Sequence, residues 1–134
     1  MTKKVIKIET EWQQQLDTES YRVLRERGTE QPFSGKFNDF WEAGTFVCKG
    51  CGNPLFNSET KFNAGCGWPS YSDVLNKSSV ILKPDYSHFM TRTEVVCAQC
   101  ESHLGHVFDD GPSPTFQRYC INSVCLNFEK KEAH

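Results

Sequence analysis

The spacing of hydrophobic residues changes near Gly28, and the change divides the chain into a helical start and a strand-rich remainder. Over residues 10–27, Trp12 and Leu16 stand one helical turn apart and are followed by Tyr21 and Leu24, which predicts two short amphipathic helices. Asp17 or Thr18 supplies a cap for the second helix, and Gly28 supplies the stop. Beyond that point glycine and proline recur so often, as at Gly35, Gly44, Gly50, Pro54, Gly65 and Pro69, that only short segments fit between them. Such punctuation suits strands and turns. Strands are predicted over 45–48, 79–83, 89–97 and 117–128, the last being the longest, and 129–134 reads as a charged, frayed tail. The expectation is one mostly β domain over 1–134, with a helical segment at 10–27 and a β core at 28–128.

Charge narrows the range of partners. The formal net charge is −2, so nothing in the overall balance attracts a phosphate backbone or an anionic membrane surface, and no nucleic-acid partner is expected. The first twelve residues carry Lys3, Lys4 and Lys7 but no apolar run long enough for a signal peptide or a membrane span. The expected location is the cytoplasm. With only 37% hydrophobic residues in 134, a metal crosslink would help the core.

Seven cysteines are present, an odd number, and in a reducing compartment cysteines more often bind metal or react than form permanent crosslinks. Were the protein exported, three disulfides and a spare thiol would be the plain reading. Four of the seven form two CxxC pairs, Cys48/Cys51 and Cys97/Cys100. A CxxC turn brings two sulfurs to one side of a tight loop, and two such turns make a closed tetrahedral thiolate site of the kind zinc prefers. The stretch from Cys51 to Cys97 is longer than a compact ribbon needs, so the knuckles are expected from separate parts of a sheet that one structural Zn2+ staples together. A thioredoxin-like redox pair is one competing reading. A local site of Cys97, Cys100, His103 and His106 is another, but it would orphan Cys48 and Cys51, so the histidines are left for other work.

Cys120 lies in Arg118-Tyr119-Cys120-Ile121-Asn122. If 117–128 is one strand, alternation puts Arg118, Cys120 and Asn122 on one face and Tyr119, Ile121 and Cys125 away from it. A neighbouring guanidinium favours thiolate and lowers the thiol's pKa toward working pH, which makes Cys120 a candidate nucleophile. A buried cysteine acting as a small hydrophobe is the commoner fate, and that reading is kept for Cys125. Cys66 is flanked by Gly65 and Gly67, which gives its thiol room to move, and Trp68 beside it offers a flat apolar plate. A loop cysteine next to a core tryptophan is the competing account.

Taken together, Gly65-Cys66-Gly67-Trp68-Pro69-Ser70, the two knuckles, His103-Leu104-Gly105-His106-Val107-Phe108, Asp110-Gly111-Pro112 and Arg118-Tyr119-Cys120-Ile121-Asn122-Ser123 resemble the methionine sulfoxide reductase B family, the peptide-methionine (R)-S-oxide reductases. The match runs in the family's order from about Gly28, through Thr29-Glu30 and Pro32-Phe33-Ser34-Gly35, to Phe128. The resemblance implies two antiparallel sheets in a barrel-like or sandwich arrangement, short N-terminal helices, and a zinc clasp opposite the active site. It also implies that Cys120 attacks a sulfoxide sulfur and becomes a sulfenic acid, that Cys66 resolves it as a disulfide, and that thioredoxin reduces the bridge. Oxidised proteins or peptides are the implied substrates, the R epimer is the one accepted, and the enzyme is expected to act as a monomer. His103, His106 and Asn122 are then the candidate proton donors and Arg118 the stabiliser of the thiolate, while Trp68 and Phe108 hold the substrate methyl group. Cys125 departs from the family pattern, where a small non-thiol residue is expected.

Two other classes compete. A zinc-stabilised binding module accounts for the cage and the aromatics but gives Cys66 and Cys120 no job. A zinc hydrolase using His103 and His106 needs an open metal position, which four cysteines deny.

Overall fold

In a computed structural model that describes residues 9–87 and 90–131, the two amphipathic segments form helices α1 (Glu9–Gln15) and α2 (Thr18–Leu24). Asp17 is the cap, its carboxylate accepting from the Ser20 backbone N–H and hydroxyl. The helix ends before Gly28, with Arg25 at its C-terminal cap, and the residue that takes a left-handed conformation is Arg27 at φ 58°. Trp12, Leu16, Val23 and Leu24 face inward, as the periodicity requires.

Among the described residues nine strands follow: β1 (Gly44–Cys48), β2 (Pro54–Asn57), β3 (Lys61–Phe62), β4 (Ser70–Tyr71), β5 (Val80–Asp85), β6 (Arg92–Cys97), β7 (His103–Phe108), β8 (Arg118–Ile121) and β9 (Leu126–Lys130). They form two antiparallel sheets, β2-β1-β9 and β3-β4-β8-β7-β6-β5. Both sheets are open, so the arrangement is sandwich-like and not a closed barrel. Pro84 sits in β5, an edge strand, where its missing N–H breaks no ladder. The strand expected from Phe89 begins at Arg92, and Phe89 itself lies outside the described residues.

Aromatic side chains join the sheets. Phe46 and Phe56 of the smaller sheet meet Tyr71 and Tyr119 of the larger, with Phe56 stacked on Tyr71 at 4.3 Å and Phe46 edge-on to Tyr71 at 5.3 Å. Phe46, Phe56 and Tyr71 are fully buried, and truncating a phenylalanine in such a place costs about 3–5 kcal/mol.

The segment 117–128 is not one strand. It breaks at Asn122, runs through a 3₁₀ turn (Ser123–Cys125) and re-emerges as β9 in the other sheet. The cause is local. Asn122 turns its amide inward, donating to the Leu104 carbonyl and accepting from the Glu30 N–H, and so fixes the point at which the chain leaves β8. The expected frayed tail is also shorter than its sequence suggests, because Glu129 and Lys130 pair with Thr45 and Gly44.

The N-terminal helices secure the knuckle region. Gln15 Nε2 donates to the Gly50 carbonyl at 2.6 Å, and Arg25 donates to the Cys100 carbonyl at 3.0 Å with its guanidinium over the Trp12 ring. Among the described residues, no helix is long and apolar enough to cross a membrane.

Candidate active site and metal centre

The four knuckle cysteines come together where β1 and β6 end and β7 begins. All four sulfurs lie within 4.8 Å of one another, with Cys48–Cys100 at 3.7 Å and Cys51–Cys97 at 3.5 Å. A tetrahedral zinc thiolate with Zn–S near 2.3 Å has S–S edges of about 3.8 Å, so the donor set and its spacing suit that ion. The sulfurs of Cys100, Cys51 and Cys97, with burial added, push the Cys48 thiol well above its usual range, a crowding that a cation relieves. Neither histidine belongs to this quartet, which removes the two-Cys, two-His arrangement.

Strand register builds the second site. Cys120 on β8 stands opposite Ser70 on β4 and His106 on β7, and Arg118 stands opposite Phe108. Directly paired residues share a face, so Cys120, His106, Arg118 and Phe108 come together by pairing alone. The two middle strands approach unusually closely at Gly105, where a Cβ would sit 2.0 Å from the Cys120 carbonyl oxygen. Cys66 arrives from the loop before β4, carried between Gly65 at φ 70° and Gly67 at φ 98°. Its Sγ lies 3.8 Å from Cys120 Sγ and 3.3 Å from Ser70 Oγ. Cys66, Trp68, His106 and Phe108 line a cavity of about 260 Å³ with Arg118, Cys120 and Asn122; Thr29 and Arg92 complete its polar wall.

The thiols do not ionise as Arg118 alone would dictate. Burial and the neighbouring Cys66 sulfur push Cys120 up to about 12, outweighing the pull of the guanidinium. Burial also raises Cys66, but hydrogen bonding with Ser70, the Trp68 backbone and Cys120 wins, and its thiol ends below its ordinary value. Two sulfurs in contact disfavour a second negative charge, and the opposite shifts make Cys66 the first of the pair to ionise. Arg118 is fixed by a two-pronged pair with Asp110, at 2.8 and 3.2 Å, and stacks over Phe108 at 4.5 Å.

The histidines take different places. His106 lines the cavity, and its Nε2 lies 2.7 Å from Asp85 Oδ2. The His106 bond, with the Ser87 N–H and hydroxyl, holds the Asp85 carboxyl far below the usual range, so Asp85 is the ionised acceptor and Nε2 carries the hydrogen. His103 is buried and is not among the residues lining the cavity. Its Nδ1 lies 2.7 Å from Glu94 Oε2, and burial lowers its pKa. Three positions apart on a strand, the two rings would face opposite ways. The register shift between Val95 and Val96 sets His103 across from Val96, on the face of Glu94, and leaves the ring centroids 5.5 Å apart. Arg27 bridges the two carboxylates, at 3.0 Å from Glu94 and 3.5 Å from Asp85.

A sequence model of the SelR domain matches residues 16–130. Over 96% of this chain and 93% of the relative, it is 54% identical to a protein of Hahella chejuensis named peptide methionine sulfoxide reductase MsrB. Equally named proteins of Bradyrhizobium diazoefficiens and Methanosarcina barkeri are each 56% identical, over 96% and 97% of this chain and 92% of each relative. The chain belongs to the methionine sulfoxide reductase B family. In this family member the cavity unites all but one of the expected site residues outside the metal quartet, the exception being His103. Cys125 is fully buried with its Sγ 3.3 Å from the His103 carbonyl, and it is not among the residues lining the cavity. Asp85, Glu94 and Arg27 escaped sequence reasoning, because only the strand register brings the two acids to the histidines.

Proposed function

We propose that this chain reduces methionine sulfoxide in peptides, using Cys120 as nucleophile and Cys66 as resolving thiol. The observation that carries this reading is the 3.8 Å approach of the two sulfurs inside a cavity that also offers an indole, a phenyl ring and a histidine. Sulfoxide is an electrophile at sulfur once its oxygen is protonated. The Cys120 thiolate attacks that sulfur, the S–O bond breaks as oxygen passes to Cys120, and methionine leaves the newly formed sulfenic acid. Cys66 then attacks the sulfenic sulfur and water departs, leaving a disulfide. A disulfide needs about 2.05 Å between sulfurs, so closure is a short movement of the glycine-flanked loop. A dithiol of the thioredoxin class returns the pair to thiols by exchange.

The remaining residues take roles that follow from their chemistry. Trp68 and Phe108 hold the methyl end by burial. His106, as the imidazolium held by Asp85, supplies the proton to the oxygen, and the Asn122 amide donates a hydrogen bond to it. His103, buried against Glu94, supports His106 and the carboxylate pair without reaching substrate. An apolar wall on one side and donors on the other select a single epimer, and the family resemblance makes it the R form. A sulfoxide that enters between the two sulfurs separates them, which removes the repulsion on Cys120 and leaves Arg118 to stabilise its thiolate. The cysteine quartet would hold a structural Zn2+, and four thiolate ligands would leave it no position for water or substrate. The expected setting is the cytoplasm, with the chain acting as a monomer on oxidised proteins.

The test is turnover of a peptide carrying methionine-R-sulfoxide with dithiothreitol, followed by disulfide mapping after one turnover. A Cys66–Cys120 bridge is the expected product. An oxidised enzyme with both of these thiols unlinked, or no reduction by the zinc-loaded protein, would overturn the reading.

A further inference from the structure

Glu30 is a buried carboxylic acid that touches neither sulfur, yet three of its groups tie the walls of the cavity together. Its backbone N–H donates to Asn122 Oδ1 at 3.0 Å, and its carbonyl accepts from the Trp68 indole N–H at 3.1 Å. Its Oε1 accepts from the Val124 N–H at 3.0 Å. The residue is 2% exposed and is one of those lining a separate groove of about 640 Å³ with Ser123 and Val124. Burial raises its pKa, while the Val124 and Ser123 N–H groups pull the other way.

This geometry adds a side-chain anchor to elements that the β4–β8 pairing and the Ile121 N–H bond to the Pro69 carbonyl already bring side by side. Trp68 belongs to the Cys66 loop, Asn122 to the end of β8, and Val124 to the turn that carries the chain into the second sheet. The 29–36 segment that holds Glu30 contains no helix or strand, so its backbone depends on such side-chain anchors for its position. The Phe33 N–H bond to the Gly67 carbonyl at 2.7 Å is a second link to the Cys66 loop, but it reaches neither Asn122 nor the turn.

We infer that Glu30 is a positioning residue: its carboxylate oxygen, held by the Val124 N–H, fixes the backbone that in turn orients the Trp68 indole and the Asn122 amide around the reacting sulfur. The kinetic part of this inference rests on the reductase reading, whereas the structural part does not. Glu30→Ala removes the acceptor and lets the 29–36 backbone drift. A misplacement of that size at a reacting centre lowers rates by about 10- to 100-fold. The loss is divided between a raised KM, from the indole plate, and a lowered kcat, from the amide. Glu30→Gln keeps an acceptor oxygen of the same reach and holds kcat/KM within about threefold.

The experiment pairs steady-state kinetics on the R-sulfoxide peptide with NMR hydrogen exchange of the indole N–H groups. In Glu30→Ala the Trp68 indole exchanges faster while those of Trp12 and Trp41 are unchanged, and Glu30→Gln restores the wild-type rate. An unchanged Trp68 indole in Glu30→Ala overturns the inference, as does an equal loss of kcat/KM in the Gln and Ala variants. If Glu30→Ala does not fold, Glu30→Asp, one methylene too short to reach Val124, is read in its place by the same criteria. Should the wild type fail to reduce the sulfoxide, the reductase reading falls and the indole exchange alone decides the role of Glu30.

Discussion

Six of the seven cysteines lie in two groups at almost the same sulfur–sulfur spacing, 3.5 to 3.7 Å for the closest pairs of the quartet and 3.8 Å for Cys66–Cys120. Their surroundings differ in every other respect. The quartet is framed by strand ends and by α1 and α2, with Cys48, Cys97 and Cys100 buried and the Asn53 amide 3.7 Å from Cys97 Sγ. The pair has one sulfur on a central strand and the other on a loop between two glycines at positive φ, beside a cavity. Distance between sulfurs therefore does not separate a metal centre from a redox couple. The number of converging donors and the freedom of one of them to move do.

The sharpest way to break the comparison is to remove one sulfur from each group. Cys120→Ser is expected to lower reduction of the sulfoxide by at least about a thousandfold even with dithiothreitol, because a hydroxyl at neutral pH is a far poorer nucleophile than a thiolate. Its melting temperature should stay within a few degrees of wild type. Turnover that survives this substitution would take the nucleophile's role away from Cys120. Cys48→Ala makes the opposite trade. It should release the metal and cost about 3 kcal/mol or more, which for a chain of this size lowers the melting temperature by roughly 10 °C. Calorimetry beside metal analysis checks it, and an unchanged melt with unchanged metal content would end the structural role.

Cys66→Ser produces a smaller and more selective loss. A single-turnover experiment should still release one methionine per enzyme, since the first step uses only Cys120. Steady-state reduction by a thioredoxin-type dithiol should fall by roughly tenfold or more, because no intramolecular bridge forms for it to attack. A missing burst would show that Cys66 acts before the sulfenic acid and not after it.

How much of this was legible in the sequence depends on whether a feature is local. The helix cap at Asp17, the inward Trp12 and Leu16, and both knuckles were readable, because a few adjacent residues determine each. Arg118 and Cys120 on one face also followed from period two alone. The break after Ile121 was not readable, because it is caused by partners as distant as Glu30 and Leu104. Nor could spacing place His103 behind His106, since that depends on a bulge in the pairing of β6 with β7. The ionisation of Cys120 failed in the same way: Arg118 was visible two residues away, but the burial and the Cys66 contact that outweigh it were not.

That last point gives the finest test of the comparison, because it asks how the charge is shared within the pair. Cys66 lies below its usual thiol value and Cys120 is pushed up to about 12, so as pH rises from 6 toward 9 the thiolate appears first on Cys66. Limiting iodoacetamide at about pH 8 should therefore label Cys66 ahead of Cys120, as read by peptide mapping. In Cys66→Ser the neighbouring sulfur charge is gone while Arg118 remains, so the Cys120 pKa should fall and its alkylation at that pH should quicken by about tenfold for each unit of the fall, until it is mostly ionised. The sign is fixed by the cause: removing a like charge favours the anion. Faster labelling of Cys120 in the wild type would place the resting thiolate on the attacking sulfur from the start. In that case the entering sulfoxide would no longer be needed to separate the two sulfurs before attack, and the pair would differ from the quartet in mobility alone.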